Sequence, residues 1–177
     1  ELQVLGNRDG VEGQTMQFSG VAKDPAGGES YVTLWSLVDP AGTTIAQGEG
    51  ETFGFTPADE GVYQLYLYAY RDVSGEQQVR VAANERQLVQ VGYPEIVNVR
   101  VTNVAPVLEA GADRSLTEGV ALTLAGVTLS DPGAGDALTI DIEWGDTTVE
   151  SAFVLPGESV EAVLAGLRHV YADDGKY

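Results

Sequence analysis

Cysteine is absent from all 177 residues. No disulfide can hold the fold, and thiolate nucleophiles and cysteine-based zinc sites are excluded with it. Basic residues are scarce: 9 Lys and Arg stand against 27 Asp and Glu, a formal charge of −18. Divided after Val104, the chain carries −8 in its first part and −10 in its second, so the acidity is general and not a tail. A field of that sign repels phosphate backbones and anionic membranes, which argues against nucleic acid as a partner, and it attracts divalent cations. There is one histidine, His169, and no nucleophile-elbow sequence to complete a Ser-His-Asp constellation around it. No apolar run approaches about 18 residues, so no segment reads as a membrane-inserted helix. The first residues, ELQVLGNRDG, lack the basic-then-apolar pattern of an export signal. A secreted parent protein would carry that signal outside these residues.

What the chain does have is alternation. Hydrophobic residues make up 44%, and 22 Gly and 7 Pro are spread along the length, the composition of many short strands joined by turns. Period-two patterning recurs between turn signals and predicts an all-β protein. EGQTMQFSG places Met16 and Phe18 on one face, and EGVALTLAG does the same with Leu122 and Leu124. KDPAGGESYVTLWSL and SDPGAGDALTIDIEW follow in the same order, bringing Trp35 onto Ile142 and Leu37 onto Trp144. Then FTPADEGVY ends on Tyr63 and HVYADDGKY on Tyr177, each with an Ala, two acids and a Gly before the tyrosine. Three anchors in one order point to an internal duplication. Pro106 in VTNVAPVLEAG cannot donate to a ladder and stiffens the joint. The predicted domains are therefore residues 1–104, with an extra hairpin near 76–96, and 105–177.

The sequence DEGVYQL puts Tyr63 two residues before an inward Leu65, which resembles the tyrosine corner of immunoglobulin-like sandwiches, with Trp35 as the buried tryptophan of such a fold. The second domain resembles PKD domains more specifically. IDIEWGDTT is similar to that family's Trp-Asp-Phe-Gly-Asp-Gly signature, with Glu143 at the first Asp, Trp144 at the Phe and Gly145-Asp146 at the Gly-Asp. HVYADDGKY is similar to its closing segment, through His169, Tyr171, Gly175 and Tyr177. The resemblance implies two tandem immunoglobulin-like β-sandwiches with Trp35, Tyr63, Trp144 and Tyr177 as structural residues. It also implies two more strands after Tyr177, so the second sandwich is expected to lack its last strands. Its open edges would then invite strand-swapped association with partner chains.

Two candidate sites follow. SDPGAGD offers Asp131 and Asp136 on a Gly-rich loop able to bend both toward one hard cation such as Ca2+. The alternative is a pair of solvated turn carboxylates. PKD-like domains of bacterial collagenases use acids in this loop with a linker asparagine, which implies Asn103 as a third ligand. The equivalent first-domain loop carries Asp24 and Glu29. In YQLYLYAY, an inward Tyr63, Leu65, Leu67 and Ala69 turns Tyr66, Tyr68 and Tyr70 outward in a row. Such a row stacks on sugar rings, anchors a protein, lies under the 76–96 segment, or simply faces water. Glu143 alternates outward with no cleft around it, and Asp146 sits in a turn where capping its own backbone is the common task, so no enzyme is expected.

The expected function is a structural or adhesion spacer, stiffened by calcium, in a large secreted or surface-attached bacterial protein, with neighbouring repeats of the same chain as its partners. The alternative is a carbohydrate- or protein-binding accessory module of a secreted hydrolase.

Overall fold

A computed structural model describes residues 1–24, 27, 30–73 and 87–177. The chain divides into two compact units, Glu1–Asn103 and Val104–Tyr177. The regular secondary structure of both is almost entirely strand. Among the described residues no helix is long and apolar enough to cross a membrane.

The first unit contains β1 (Leu2–Leu5), β2 (Asp9–Val11), β3 (Met16–Ala22), β4 (Val32–Val38), β5 (Thr44–Glu49), β6 (Thr52–Phe55), β7 (Gly61–Asp72), β8 (Leu88–Gln90) and β9 (Glu95–Thr102). One sheet has the order β1-β3-β6, and the other β2-β9-β7-β4-β5 with β8 paired to the end of β7. The chain thus changes sheets between β1 and β2, and β2 runs parallel to β9 while the other pairs are antiparallel. The inner faces meet in one core, with Val4, Met16, Phe18, Phe53 and Phe55 from the first sheet. Trp35, Leu37, Tyr63, Leu65, Leu67, Val97, Val99 and Val101 come from the second. Strict alternation along β3, β7 and β9 puts every second side chain inside, because successive Cβ atoms of a strand point to opposite faces.

Trp35 is 1% exposed and stacks on Phe53 of the opposite sheet at 5.7 Å between ring centroids. Its Nε1–H donates to the Gly50 carbonyl at 2.8 Å, so the buried polar atom is satisfied. The indole fits because Gly20 lies beneath it: a Cβ there would stand 2.7 Å from Trp35 Cζ2 and 2.9 Å from both Leu67 methyls.

The second unit contains β10 (Val107–Glu109), β11 (Ala121–Thr123), β12 (Thr128–Ser130), β13 (Leu138–Glu143), β14 (Val149–Val154), α1 (Val160–Ala165) and β15 (Arg168–Val170). These strands form three separate two-stranded ladders, β10-β12, β11-β15 and β13-β14, and not two continuous sheets. Four of the six strands have only three residues. The core is small: Ile140, Ala152, Val154 and Leu164, flanked by half-buried Leu124, Leu129, Ile142 and Val163 among others. Phe153 of β14 is 67% exposed. The helix α1 was not anticipated. Ser159 caps it by accepting from the Ala162 N–H, and Leu164 is its buried anchor.

Of the hairpin expected near 76–96, residues 76–86 lie outside the described residues. The described remainder includes β8, which pairs with Tyr70–Asp72 of β7.

Trp35→Ala is expected to destabilise the first unit by about 3–5 kcal/mol through the cavity it leaves. Gly20→Val should cost about 1–3 kcal/mol by overpacking the same spot. Denaturant unfolding of the two variants checks both values. A neutral Gly20→Val would mean that the sheets can move apart there.

Candidate functional site

The twelve residues of β7 make both a core and a surface. Tyr63, Leu65, Leu67 and Ala69 are buried, whereas Tyr66, Tyr68 and Tyr70 are half-buried on the other face. The Tyr66 and Tyr68 rings stack at 6.2 Å with 13° between their planes. Tyr68 and Tyr70 follow at 6.4 Å and 42°. Register places Ser36 of β4 and Ile96 of β9 on either side of Tyr66, Leu34 beside Tyr68, and Val32 and Gln90 on either side of Tyr70. The Tyr66 hydroxyl donates to Gln64 Oε1 at 3.0 Å. An open depression of about 550 Å³ runs over this face, lined by Leu34, Trp35, Ser36, Gln47, Gly48, Tyr68 and Tyr70. The Tyr68 hydroxyl is held above its ordinary pKa, first by partial burial and then by its two tyrosine neighbours.

Asp131 and Asp136 do approach each other: their carboxylate oxygens lie within 4.8 Å. Asp131 Oδ1 accepts from the Gly133 N–H at 2.9 Å, which closes the loop as an Asx-turn. Its Oδ2 is buried and has no hydrogen-bond partner among the described residues. Asn103 is exposed just beyond β9, at the end of the first unit. Asp24 is half-buried at the start of its loop, and Glu29 lies outside the described residues.

Two further acidic groups were missed from the sequence. In the first unit Glu12, Asp59 and Glu60 bring carboxylate oxygens within 4.8 Å of one another, and in the second Glu118, Asp173 and Asp174 do the same. Each group joins the Glu of a Glu-Gly strand opening to the two acids that precede a closing tyrosine. Glu12 is 1% exposed, whereas the second group is wholly exposed. Groups of this kind can hold a metal ion. In both units the tyrosine that follows turns back on the acidic loop. Tyr63 donates to the Asp59 carbonyl at 2.8 Å and Tyr177 to the Asp173 carbonyl at 3.2 Å. Burial raises the Tyr63 pKa, the hydrogen bond to the Asp59 carbonyl opposes this, and the charges of Asp59, Asp39 and Glu12 add to the rise.

The glycines of the two closing segments serve different ends. Gly175 clears room for the Tyr177 ring, which a Cβ would meet at 2.7 Å, whereas Gly61 clears Pro40. Tyr177 stacks on Tyr171 at 4.3 Å, Tyr171 meets His169 edge-on at 4.6 Å, and His169 stacks on Trp144 at 4.7 Å. His169 Nε2 lies 2.8 Å from Asp146 Oδ2, so the imidazole has two ring contacts and an acidic partner. Asp146 Oδ1 also accepts from the Thr148 N–H at 3.0 Å. In the same turn Thr147 has φ +76°, a left-handed conformation that a β-branched residue adopts only under constraint. Glu143 is exposed at the end of β13.

No family model and no curated protein matches the chain.

Hydrogen bonds from Thr148, and then from His169, hold the Asp146 carboxyl below its ordinary 3.8. The charged form is the one favoured in the folded unit. Its contacts therefore stabilise above the unfolded pKa and are lost as pH falls through the lower folded value. Asp146→Asn should reduce hydrogen-exchange protection of β13 and β15 at pH 7, with the difference from the parent narrowing below about pH 4. A difference that stays constant down to pH 2.5 would mean that the Asp146 charge contributes nothing.

Proposed function

We propose that the chain is a non-enzymatic spacer made of tandem immunoglobulin-like sandwiches, similar to PKD domains, in a large secreted or surface-attached bacterial protein, and that calcium stiffens it. The observation that carries this reading is the repeated corner. In each unit a tyrosine hydroxyl is tied to the carbonyl four residues earlier, and a Glu from a strand opening meets two acids of that same loop. The strand pairing repeats as well: β3-β6 in the first unit and β11-β15 in the second join the strand after the Glu-Gly opening to the strand before the corner. The split of the first strand between two sheets, the order β2-β9-β7-β4-β5 and the buried Trp35 support an immunoglobulin-like arrangement of the first unit.

Calcium is favoured by the donor set. Three carboxylates within 4.8 Å repel one another, and in the first unit one of them is buried. A hard divalent cation taking several oxygens relieves that repulsion, and the −18 formal charge raises its local concentration. The loop of Asp131 and Asp136, with its buried Oδ2, adds a third place, made of two carboxylates. A cation bound only by the folded state adds about 2.7 kcal/mol of stability at one hundred times its Kd.

Thermal unfolding in EDTA and then in millimolar calcium is expected to show a rise in Tm. Asp59→Asn should remove the part belonging to the first unit, and Asp131→Ala the part belonging to its loop. An unchanged Tm in calcium would leave every one of these carboxylates a solvated turn residue. The spacer reading also predicts two separate unfolding events when the chain is pulled from its ends in a force spectrometer. The event of residues 1–103 should release the longer contour length. One merged event at a single force would refute independent repeats.

A further inference from the structure

The tyrosine face of the first unit goes beyond the spacer reading and does not depend on it. We infer that this face is a docking strip for a linear, neutral polysaccharide laid along β7. Tyr66, Tyr68 and Tyr70 are the stacking platform, and Ser36, Gln47 and Gln64 are the hydrogen-bonding rim.

The shape comes from the strand. Residues at i, i+2 and i+4 share one face of β7, so three rings form a single file, 6.2 and 6.4 Å apart. A file of flat rings one strand wide matches a chain of pyranose units, whose C–H faces pack on aromatic rings. The depression of about 550 Å³ beside Tyr68 and Tyr70 falls within the range of about 300–1,000 Å³ typical of small-ligand sites.

The chemistry of the rim points the same way. Among the described residues the polar side chains that line the depression, Ser36 and Gln47, are neutral, and Gln64 holds the Tyr66 hydroxyl. Amides and hydroxyls donate and accept in equal measure, as sugar hydroxyls do. Among the described residues that line the depression there is no Lys or Arg, and the chain's formal charge is −18, so an anionic polymer is repelled. The rings are supported rigidly from below. Leu67 and Ala69, between the outward tyrosines, are buried, and the rings already pack on one another, so little side-chain order has to be gained on binding.

Affinity electrophoresis of the whole chain tests this, with hydroxyethylcellulose, xyloglucan, galactomannan or laminarin in the gel and alginate as the anionic contrast. At least one neutral polymer should retard the chain, and alginate should not. Tyr68→Ala is expected to weaken retardation about tenfold, and Tyr68→Phe to keep most of it, since the ring does the stacking. Gln47 is exposed on the sheet surface, so Gln47→Ala gives a readout that survives if Tyr68→Ala fails to fold; it should weaken retardation several-fold. The proposal is overturned if no neutral polymer retards the parent chain. It is equally overturned if alginate retards it as strongly, or if a folded Tyr68→Ala or Gln47→Ala migrates like the parent.

Discussion

The inter-sheet contact at Trp35 is the constraint on which the first unit depends. With no cysteine to staple the two sheets, their separation is set by side chains alone. The indole fills the gap, Gly20 on the facing strand leaves it space, and the Gly50 carbonyl satisfies its N–H. Because β4 and β7 are paired in register over seven residues, fixing the inner face of β4 also fixes what stands outside. Leu34 and Ser36 are the outward neighbours of the buried Trp35 and Leu37, and they flank Tyr68 and Tyr66. The surface row therefore takes its order from the core.

The second unit is held differently. Its buried core is four residues, and its ladders do not join. A relay of four rings, Trp144, His169, Tyr171 and Tyr177, brings three of its segments together. The Tyr171 hydroxyl adds a bond to the Trp144 carbonyl at 2.9 Å. Here the polar contacts of Asp146 and the closing tyrosine weigh more than in the first unit, because little apolar burial stands behind them. The same closing motif thus finishes a large core in one unit and replaces part of a core in the other.

How much of this was legible depended on the range of the signal. The strands β3, β7 and β9 could be read because one buried face makes period two visible over seven to twelve residues. The outward row of Tyr66, Tyr68 and Tyr70 followed from the same count. The helix α1 was missed because six residues give only one repeat of the apolar spacing, through Val160, Val163 and Leu164, and its Ser159 cap looks like any loop serine. The acidic groups were hidden in plain view. Glu12 and the Asp59-Glu60 pair belong to the repeated segments, but nothing local says that a strand opening and a strand corner far along the chain meet.

The amino-acid sequence by itself determined the all-β class, the inward and outward faces of the long strands, and the general acidity. These depend on composition and on a two-residue period, which neighbouring residues impose without reference to the rest of the fold. Only the tertiary structure decided which carboxylates converge, that Gly20 lies under Trp35, and that His169 is clasped between Trp144 and Tyr171. Each of these is a contact between residues distant in the chain. Such contacts are chosen by which sheets and loops pack together, a choice that no local pattern carries.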